Sequence, residues 1–331
     1  MKRNIYLKTI PPAEAVARVK ASIDREALIR EETIPSHEAS GRVLAHAVHA
    51  RYSSPTFHSA AMDGYAVNAR STFAAREGHP LTLKAGETCF AVNTGHPMPE
   101  GCDAVIMIEQ VVLDGGSVTI EAPAFPWQHV RRIGEDIVAT ELLFPRNHQL
   151  RPWDVGALLS GGIWDVPVWE RVTVRIIPTG DEVLDFTTHP DPGKGQVVES
   201  NSQMLAALAR ELGCVVERAA PVPDNPEALH QALKDSLDAG RHLTIFCAGS
   251  SAGSKDFTRA TLEKEGEILT HGIAAMPGKP SLLANCRGRL VAGAPGYPVS
   301  ALVCFKELLE PLISWLSHRE PPAKTVVPVE L

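Results

Sequence analysis

The chain places several acids and donors where a strand should give way to a turn. Thr179-Gly180-Asp181-Glu182 sets two carboxylates side by side directly after the apolar run Val172 to Ile177. Acids at the end of a buried strand lie where water is partly excluded, and their burial needs a cation or hydrogen-bond donors. A hard divalent ion such as Mg²⁺ suits carboxylate oxygens. Asp224 follows Val222-Pro223, and Asp256 closes the Ser/Gly segment after Leu243 to Phe246. Asp181, Glu182, Asp224 and Asp256 are therefore the expected metal ligands. The segment itself carries Gly249, Ser250, Ser251 and Gly253, the composition of a phosphate-cradling backbone nest. It lacks the Gly-Lys-Ser/Thr ending of a P-loop. A third turn, Ala294-Pro295-Gly296-Tyr297-Pro298-Val299-Ser300, follows the run Leu290 to Ala294. Turns of this kind gather at the carboxyl edge of a parallel sheet, where α/β proteins bind ligands.

Other candidates are ambiguous when taken singly. Met276-Pro277-Gly278-Lys279-Pro280 fixes a lysine between prolines; a stiff ammonium suits an oxyanion, and a solvated turn lysine would look the same. Ser59-Ala60-Ala61-Met62-Asp63-Gly64-Tyr65 is an ordinary Asp-Gly turn by itself. Asn93-Thr94-Gly95 fits a hairpin. Arg131-Arg132-Ile133-Gly134-Glu135-Asp136 mixes charges as a salt-bridged hinge would.

These segments need elements to hold them. Val16, Val19 and Ile23, after Pro12, predict a helix over residues 12–24, and Ser36 to Val48 a second short element. Short β-rich pieces at Tyr65–Val67, Leu81–Leu83, Ala104–Ile108 and Val118–Ile120 predict a separate β domain. Pro152 to Leu159 reads as a short helix. From Arg171 onward strands and helices alternate: a helix capped by Ser200-Asn201-Ser202 with the stripe Met204, Leu205, Leu208 and Leu212, a strand from Val215 to Ala219, a helix from Pro226 to Leu237. The expected fold is a multidomain α/β protein. A discontinuous linker domain (1–50 and 137–169) is followed by an inserted β-rich domain (51–136), a doubly wound α/β domain (170–318) and a Pro-rich tail (319–331).

With 331 residues and a formal net charge of −7, the chain is built for neither bulk nucleic-acid binding nor a single small core. Its six cysteines form no C-x-x-C pair, and Cys247 and Cys304 read as buried thiols. No apolar stretch reaches membrane-spanning length, so a cytoplasmic protein without a membrane partner is expected.

In order, S-A-A-M-D-G-Y-A, N-T-G with P-x-G-x-D-A-V, R-x-G-E-D, P-T-G-D-E, the Ser/Gly loop ending in Asp, P-G-K-P and P-G-Y-P-V-S-A resemble the molybdopterin molybdenumtransferases, relatives of the gephyrin E domain, from about Tyr6 to Leu316. The resemblance implies insertion of molybdate or tungstate into adenylyl-molybdopterin with Mg²⁺-dependent release of AMP. It also implies an elongated homodimer and a partner adenylyltransferase that supplies the pterin nucleotide. Carried onto this chain, Asp63 and Thr94 would line the cleft from the β domain; Asp136, Glu182, Asp224 and Asp256 would be the functional acids; Lys279 and Ser300 would face the oxyanion.

The chain departs from the family pattern at Met276, where the family loop begins with lysine, in the Ala248–Gly253 loop, and at Tyr297, where many relatives carry Asn. The family's small β domain would lie beyond Leu331, and the wording is most similar to a subgroup in which a binding-protein-like domain follows. The competing expectation is a non-catalytic pterin- or molybdate-binding or sensor paralogue that keeps the fold.

Overall fold

Residues 8–247 and 257–322 are described by the computed structural model of the chain. Helix α1 (Pro12–Ser22) starts on a proline, which costs no hydrogen bond at this position, and ends where Ile23 turns extended. Its buried Ala15 and Val19 join Ile10, Ile23 and Ile29 in one apolar cluster with Val174, Ile176, Leu283, Phe305 and Leu312. Helix α1 is thus packed on the α/β sheet, although residues 1–50 read as linker. The apolar stripe of a lone helix must be buried somewhere, and the sheet face offers the larger surface.

The linker is built from both halves of the chain. Glu31–Pro35 pairs antiparallel with Asp165–Trp169, and Val48–His49 with Leu142–Phe144. Between them, Ser36 to Val48 forms only a turn of 3₁₀ helix at Ser36–Glu38 and irregular chain, tied by Gly41 N–H to the Leu150 carbonyl at 2.7 Å and Leu44 N–H to that of His148 at 3.0 Å. Helix α2 (Pro152–Ser160) is capped by its own Asp154, which accepts from the Arg151 N–H at 2.9 Å and is joined by His148 Nε2 at 2.7 Å. Leu44, Leu150, Leu158, Val166 and Val168 close this core.

The insert consists of two three-stranded antiparallel sheets. Gly64–Val67 lies between Cys89–Val92 and Ala104–Met107; Ser117–Ile120 lies between Leu81–Lys84 and Val111–Asp114. Val67, Leu83, Cys89, Ile106, Val118 and Ile120 fill the space between them. Gly64 is required here: a Cβ on it would lie 2.0 Å from the Ile106 carbonyl oxygen across the ladder.

The large domain has a six-stranded sheet: β1 (Thr173–Pro178), β2 (Val215–Arg218), β3 (Leu243–Cys247), β4 (Gly266–His271), β5 (Leu282–Cys286) and β6 (Arg289–Ala294), in the order β2-β1-β3-β6-β5-β4. Strands β2, β1, β3 and β6 are parallel; β5 runs antiparallel to both β6 and the edge strand β4, which therefore points the same way as the parallel set. The antiparallel edge was not legible, because Glu267, Thr270, His271 and Asn285 break the apolar signal of those strands. Helices α3 (Asn201–Glu211), α4 (Pro226–Asp238), α5 (Phe257–Glu265), α6 (Pro298–Cys304) and α7 (Glu310–Leu316) accompany the sheet, with a π turn, Phe305–Leu309, joining the last two. Two apolar clusters cover the two faces, one around Ile176, Leu205 and Phe305, the other around Ile177, Leu233 and Phe246. Leu205, Leu233 and Phe246 are fully buried, and truncating such side chains costs about 2–5 kcal/mol each. The cap of α3 differs from expectation: the Ser200 side chain makes no capping bond, and Glu199 accepts from the Ser202 N–H at 2.7 Å and its hydroxyl at 2.6 Å instead.

Candidate functional site

The turns after β1 and β6 meet at the carboxyl edge of the parallel strands. There they border a cavity of about 440 Å³ with Thr179, Glu182, Glu199, Asn201, Cys247 and Tyr297 among its lining residues. Thr179 is buried and ties β1 to β3, its N–H and hydroxyl donating to the Cys247 carbonyl at 3.0 and 3.1 Å. Gly180 N–H then donates to the Val222 carbonyl at 3.1 Å. The Glu182 carboxylate curls back beside Gly180. A short parallel pair, Val183–Leu184 with Val197–Val198, forms one wall, and the Asn201 Nδ2 donates to the Gly296 carbonyl at 2.7 Å across the other. The Asn201 Oδ1 is buried without a hydrogen-bond partner among the described residues.

The expected acids are arranged less compactly than their spacing suggested. Asp181 and Glu182 are exposed rather than buried, because the chain leaves the sheet at Gly180, so desolvation does not demand a cation for them. Asp181 Oδ1 accepts the Asp224 N–H at 3.0 Å, which brings those two acids together. Among the described residues no three His, Cys, Asp or Glu side chains gather as a metal-holding group. Asp256, with Gly249, Ser250, Ser251 and Gly253, lies outside the described residues. The donor chemistry still fits Mg²⁺, which keeps several waters and takes one or two carboxylates plus substrate phosphate oxygens. Asp181 and Glu182 offer such carboxylates at the rim.

The lysine loop stands against α6. Gly278 has φ +109°, and a Cβ there would sit 3.1 Å from Val303 Cγ1 and 3.6 Å from the Ser300 carbonyl oxygen, so only glycine lets the loop approach the helix. The loop is pinned by Ile273 N–H to the Lys279 carbonyl at 2.9 Å and by Ser281, whose N–H and hydroxyl reach the Gly278 carbonyl at 3.1 and 2.7 Å. Lys279 is exposed and Ser300 half-buried, on adjoining elements.

In the insert, Asp63 and Thr94 are joined directly. Asp63 Oδ1 accepts from the Thr94 N–H at 2.7 Å and its hydroxyl at 3.0 Å. The Thr94 backbone bond, then its hydroxyl, hold the Asp63 carboxyl below the ordinary carboxylate range. Asp136 is exposed at the hinge, its N–H donating to the Ser54 carbonyl at 3.0 Å. Its neighbour Glu135 is the tethered acid, held low by the Arg132 N–H and by Arg131 at 2.8 Å. Asp63, Thr94 and Asp136 do not line the cavity at the sheet edge.

Two residues of the site were passed over in the sequence. Glu199 is almost fully buried, and Arg218 reaches it at 3.4 Å, Asp185 at 3.2 Å and the Ser202 hydroxyl at 2.9 Å. With Asn201, it lines the cavity. The signal was Glu199-Ser200-Asn201-Ser202 between a strand and a helix, read only as a cap. Cys247 and Cys304 are free, buried thiols, burial pushing Cys304 up to about 11 and Cys247 higher still, so neither is a nucleophile. Among the described residues no helix is long and apolar enough to cross a membrane.

Comparison with known proteins agrees with this architecture. The family described as "MoeA N-terminal region (domain I and II)" matches residues 10–162, and "Probable molybdopterin binding domain" matches residues 175–315. A protein named "Molybdopterin molybdenumtransferase" from Haemophilus influenzae is 34% identical over 87% of this chain and 74% of its own. One of the same name from Synechococcus elongatus is 32% identical over 85% and 74%. The crystal structure of a molybdopterin biosynthesis protein from Pyrococcus horikosii superposes with a TM-score of 0.80 at 29% identity, covering 95% of this chain and 81% of that one. With a relative above 30% identity spanning nearly three quarters of its own length, the chain belongs to the molybdopterin molybdenumtransferase family, enzymes of molybdenum cofactor biosynthesis.

Proposed function

We propose that this chain inserts molybdate or tungstate into adenylyl-molybdopterin and releases AMP with the help of Mg²⁺. The observation that carries the reading is the cavity at the carboxyl edge of the sheet, with Glu182 on its rim and in its wall the Asn201 Oδ1, which has no hydrogen-bond partner among the described residues. A cavity of about 440 Å³ falls within the usual range for small-molecule sites. Asn201 offers a fixed acceptor to a donor-rich heterocycle such as the pterin. Asp181, Glu182 and Asp224, with Asp256, would hold Mg²⁺, which when bound would neutralise phosphate charge. Lys279 and Ser300 would face the incoming oxyanion, and Asp63, Thr94 and Asp136 would close the cleft from the insert. The Ser/Gly loop with Gly249, Ser250, Ser251 and Gly253 would cradle the nucleotide phosphates. The working form is a homodimer fed by an adenylyltransferase.

The test is incubation with adenylyl-molybdopterin, molybdate and Mg²⁺, following AMP release. Glu182→Gln and Asp224→Asn are expected to lower turnover by roughly 10²-fold or more, the scale of removing one electrostatic stabiliser. Unchanged turnover in both would remove these acids from the reaction. Met276 is 88% exposed on the lysine loop. Met276→Lys adds a cation beside Lys279 and is expected to lower the molybdate concentration at half-maximal rate by roughly tenfold, the scale of one ionic hydrogen bond. An unchanged molybdate titration would show that Lys279 and Ser300 suffice.

A further inference from the structure

A second pocket lies at the opposite end of the parallel strands. It occupies about 280 Å³ among Gly41, Val43, Val172, Leu212, Gly213 and Ser317, just before β1 and β2 begin. Four arginines line it: Arg42, Arg171, Arg210 and Arg319. Two are held in place. Arg42, about one-tenth exposed, donates to the Trp169 carbonyl at 2.9 Å and pairs with Glu32. Arg319 donates to the Leu212 carbonyl. Arg171 and Arg210 are exposed and have no carboxylate partner among the described residues.

Among the described residues one acid lines the pocket, Glu170, whose Oε1 already accepts the Arg30 N–H at 2.7 Å and faces the His242 Nε2 at 3.5 Å. With Arg42 balanced by Glu32, three guanidinium groups face one carboxylate, an excess of about two positive charges, since arginine stays protonated. In a chain of formal charge −7 this concentration of cations is local. Guanidinium groups bind the oxygens of tetrahedral anions in bidentate fashion, which a point charge does not. Trp169 also borders the pocket, but its ring is stacked on His318 at 3.9 Å and overlaid by Arg146, so it offers no face for a nucleobase.

We propose that this pocket binds a tetrahedral divalent oxyanion, a phosphate monoester or a free oxyanion such as molybdate, at the sheet edge opposite the proposed reaction site. The inference does not depend on the proposed reaction. Calorimetric titration of the full chain with inorganic phosphate at low salt is expected to show one saturable site, millimolar or tighter. Arg171→Ala and Arg210→Ala should each weaken it by roughly tenfold or more without lowering the melting temperature, and the double variant should show no saturable heat. Arg76→Ala, on the exposed surface of the insert, should change nothing. Absence of saturable binding, its retention in the double variant, or its loss on Lys279→Ala instead would overturn the proposal. Displacement of phosphate by molybdate at lower concentration than by glycerol 2-phosphate would name the free oxyanion as the ligand. The reverse order would name a phosphate monoester, and either order supports the site.

Discussion

Asp63 owes its character to one neighbour. Two donors from Thr94 converge on a single oxygen of a carboxylate that is open to solvent. Hydrogen bonds to the charged form favour it, so Asp63 stays ionised to a lower pH than a free carboxylate does. Asp63→Asn keeps an acceptor for Thr94 and loses the charge. It should therefore fold as the parent does, with an unchanged melting temperature, while turnover drops; a lost turnover accompanied by a lowered melting temperature would point to a structural role instead. His318 is the converse case. It is buried against Trp169 with neither ring nitrogen hydrogen-bonded among the described residues, and burial first, then Arg25 and Arg146, push its pKa from 6.5 to about 4. Between those values the unfolded chain binds a proton that the folded chain refuses, so stability falls as pH drops from 6.5 towards 4. The loss has an upper bound of about 3.4 kcal/mol, at 1.36 kcal/mol per pKa unit. Urea unfolding at pH 7, 6 and 5 should show this slope, and His318→Phe should flatten it; an equal slope in both chains would assign the acid sensitivity elsewhere.

At the scale of elements, the N-terminus of α3 is fixed by charge rather than by the hydroxyl the sequence suggested. Glu199 is buried with a side-chain exposure of 3%, held by Ser202 and Arg218, and Arg218 also spans to Asp185 and lies over the Phe186 ring. Removing one member of a buried pair strands the other charge, at a cost of about 3–5 kcal/mol. Arg218→Ala should therefore destabilise the protein strongly and lower the order of the cavity wall, whereas Lys84→Ala, which breaks the exposed pair with Glu87 on the insert, should cost less than about 0.5 kcal/mol. Similar melting temperatures for the two would show that the network contributes little. This network also marks where sequence reading stopped. Helices α1, α2 and α4 were legible because their prolines, caps and apolar spacing are local signals. The Asp63–Thr94 pair was nameable only through ordered motifs, since the two residues are 31 positions apart. The Glu199–Arg218 pair, and the antiparallel strands β4 and β5, depend on partners brought together by the sheet. Exposure misled as well: Asp181 and Glu182 read as buried because the preceding run is apolar, yet one glycine turn carries them to the surface.

For the whole molecule, the proposed groups are distributed over two separate cores. The insert has its own core between two small sheets, and Asp63 and Thr94 belong to it. The α/β domain has its cavity at the carboxyl edge of the large sheet, and no residue of the insert lines that cavity. A homodimer resolves the separation if the insert of one chain serves the rim of the other. That arrangement makes a prediction that a self-contained chain does not. Chains carrying Asp63→Asn and chains carrying Glu182→Gln are each expected to be nearly inactive. Mixed in equal amounts under conditions that allow exchange, half of the dimers pair unlike chains, and each of these holds one cleft free of both substitutions. About one quarter of the parent's AMP release should return, because one cleft in two is intact in half of the dimers, and function follows the assembled site rather than the fold of one chain. If both groups acted within a single chain, every cleft in the mixture would carry one substitution and no activity would return. Light scattering at the same concentrations must show a dimer; a monomer with full turnover would exclude the shared cleft outright.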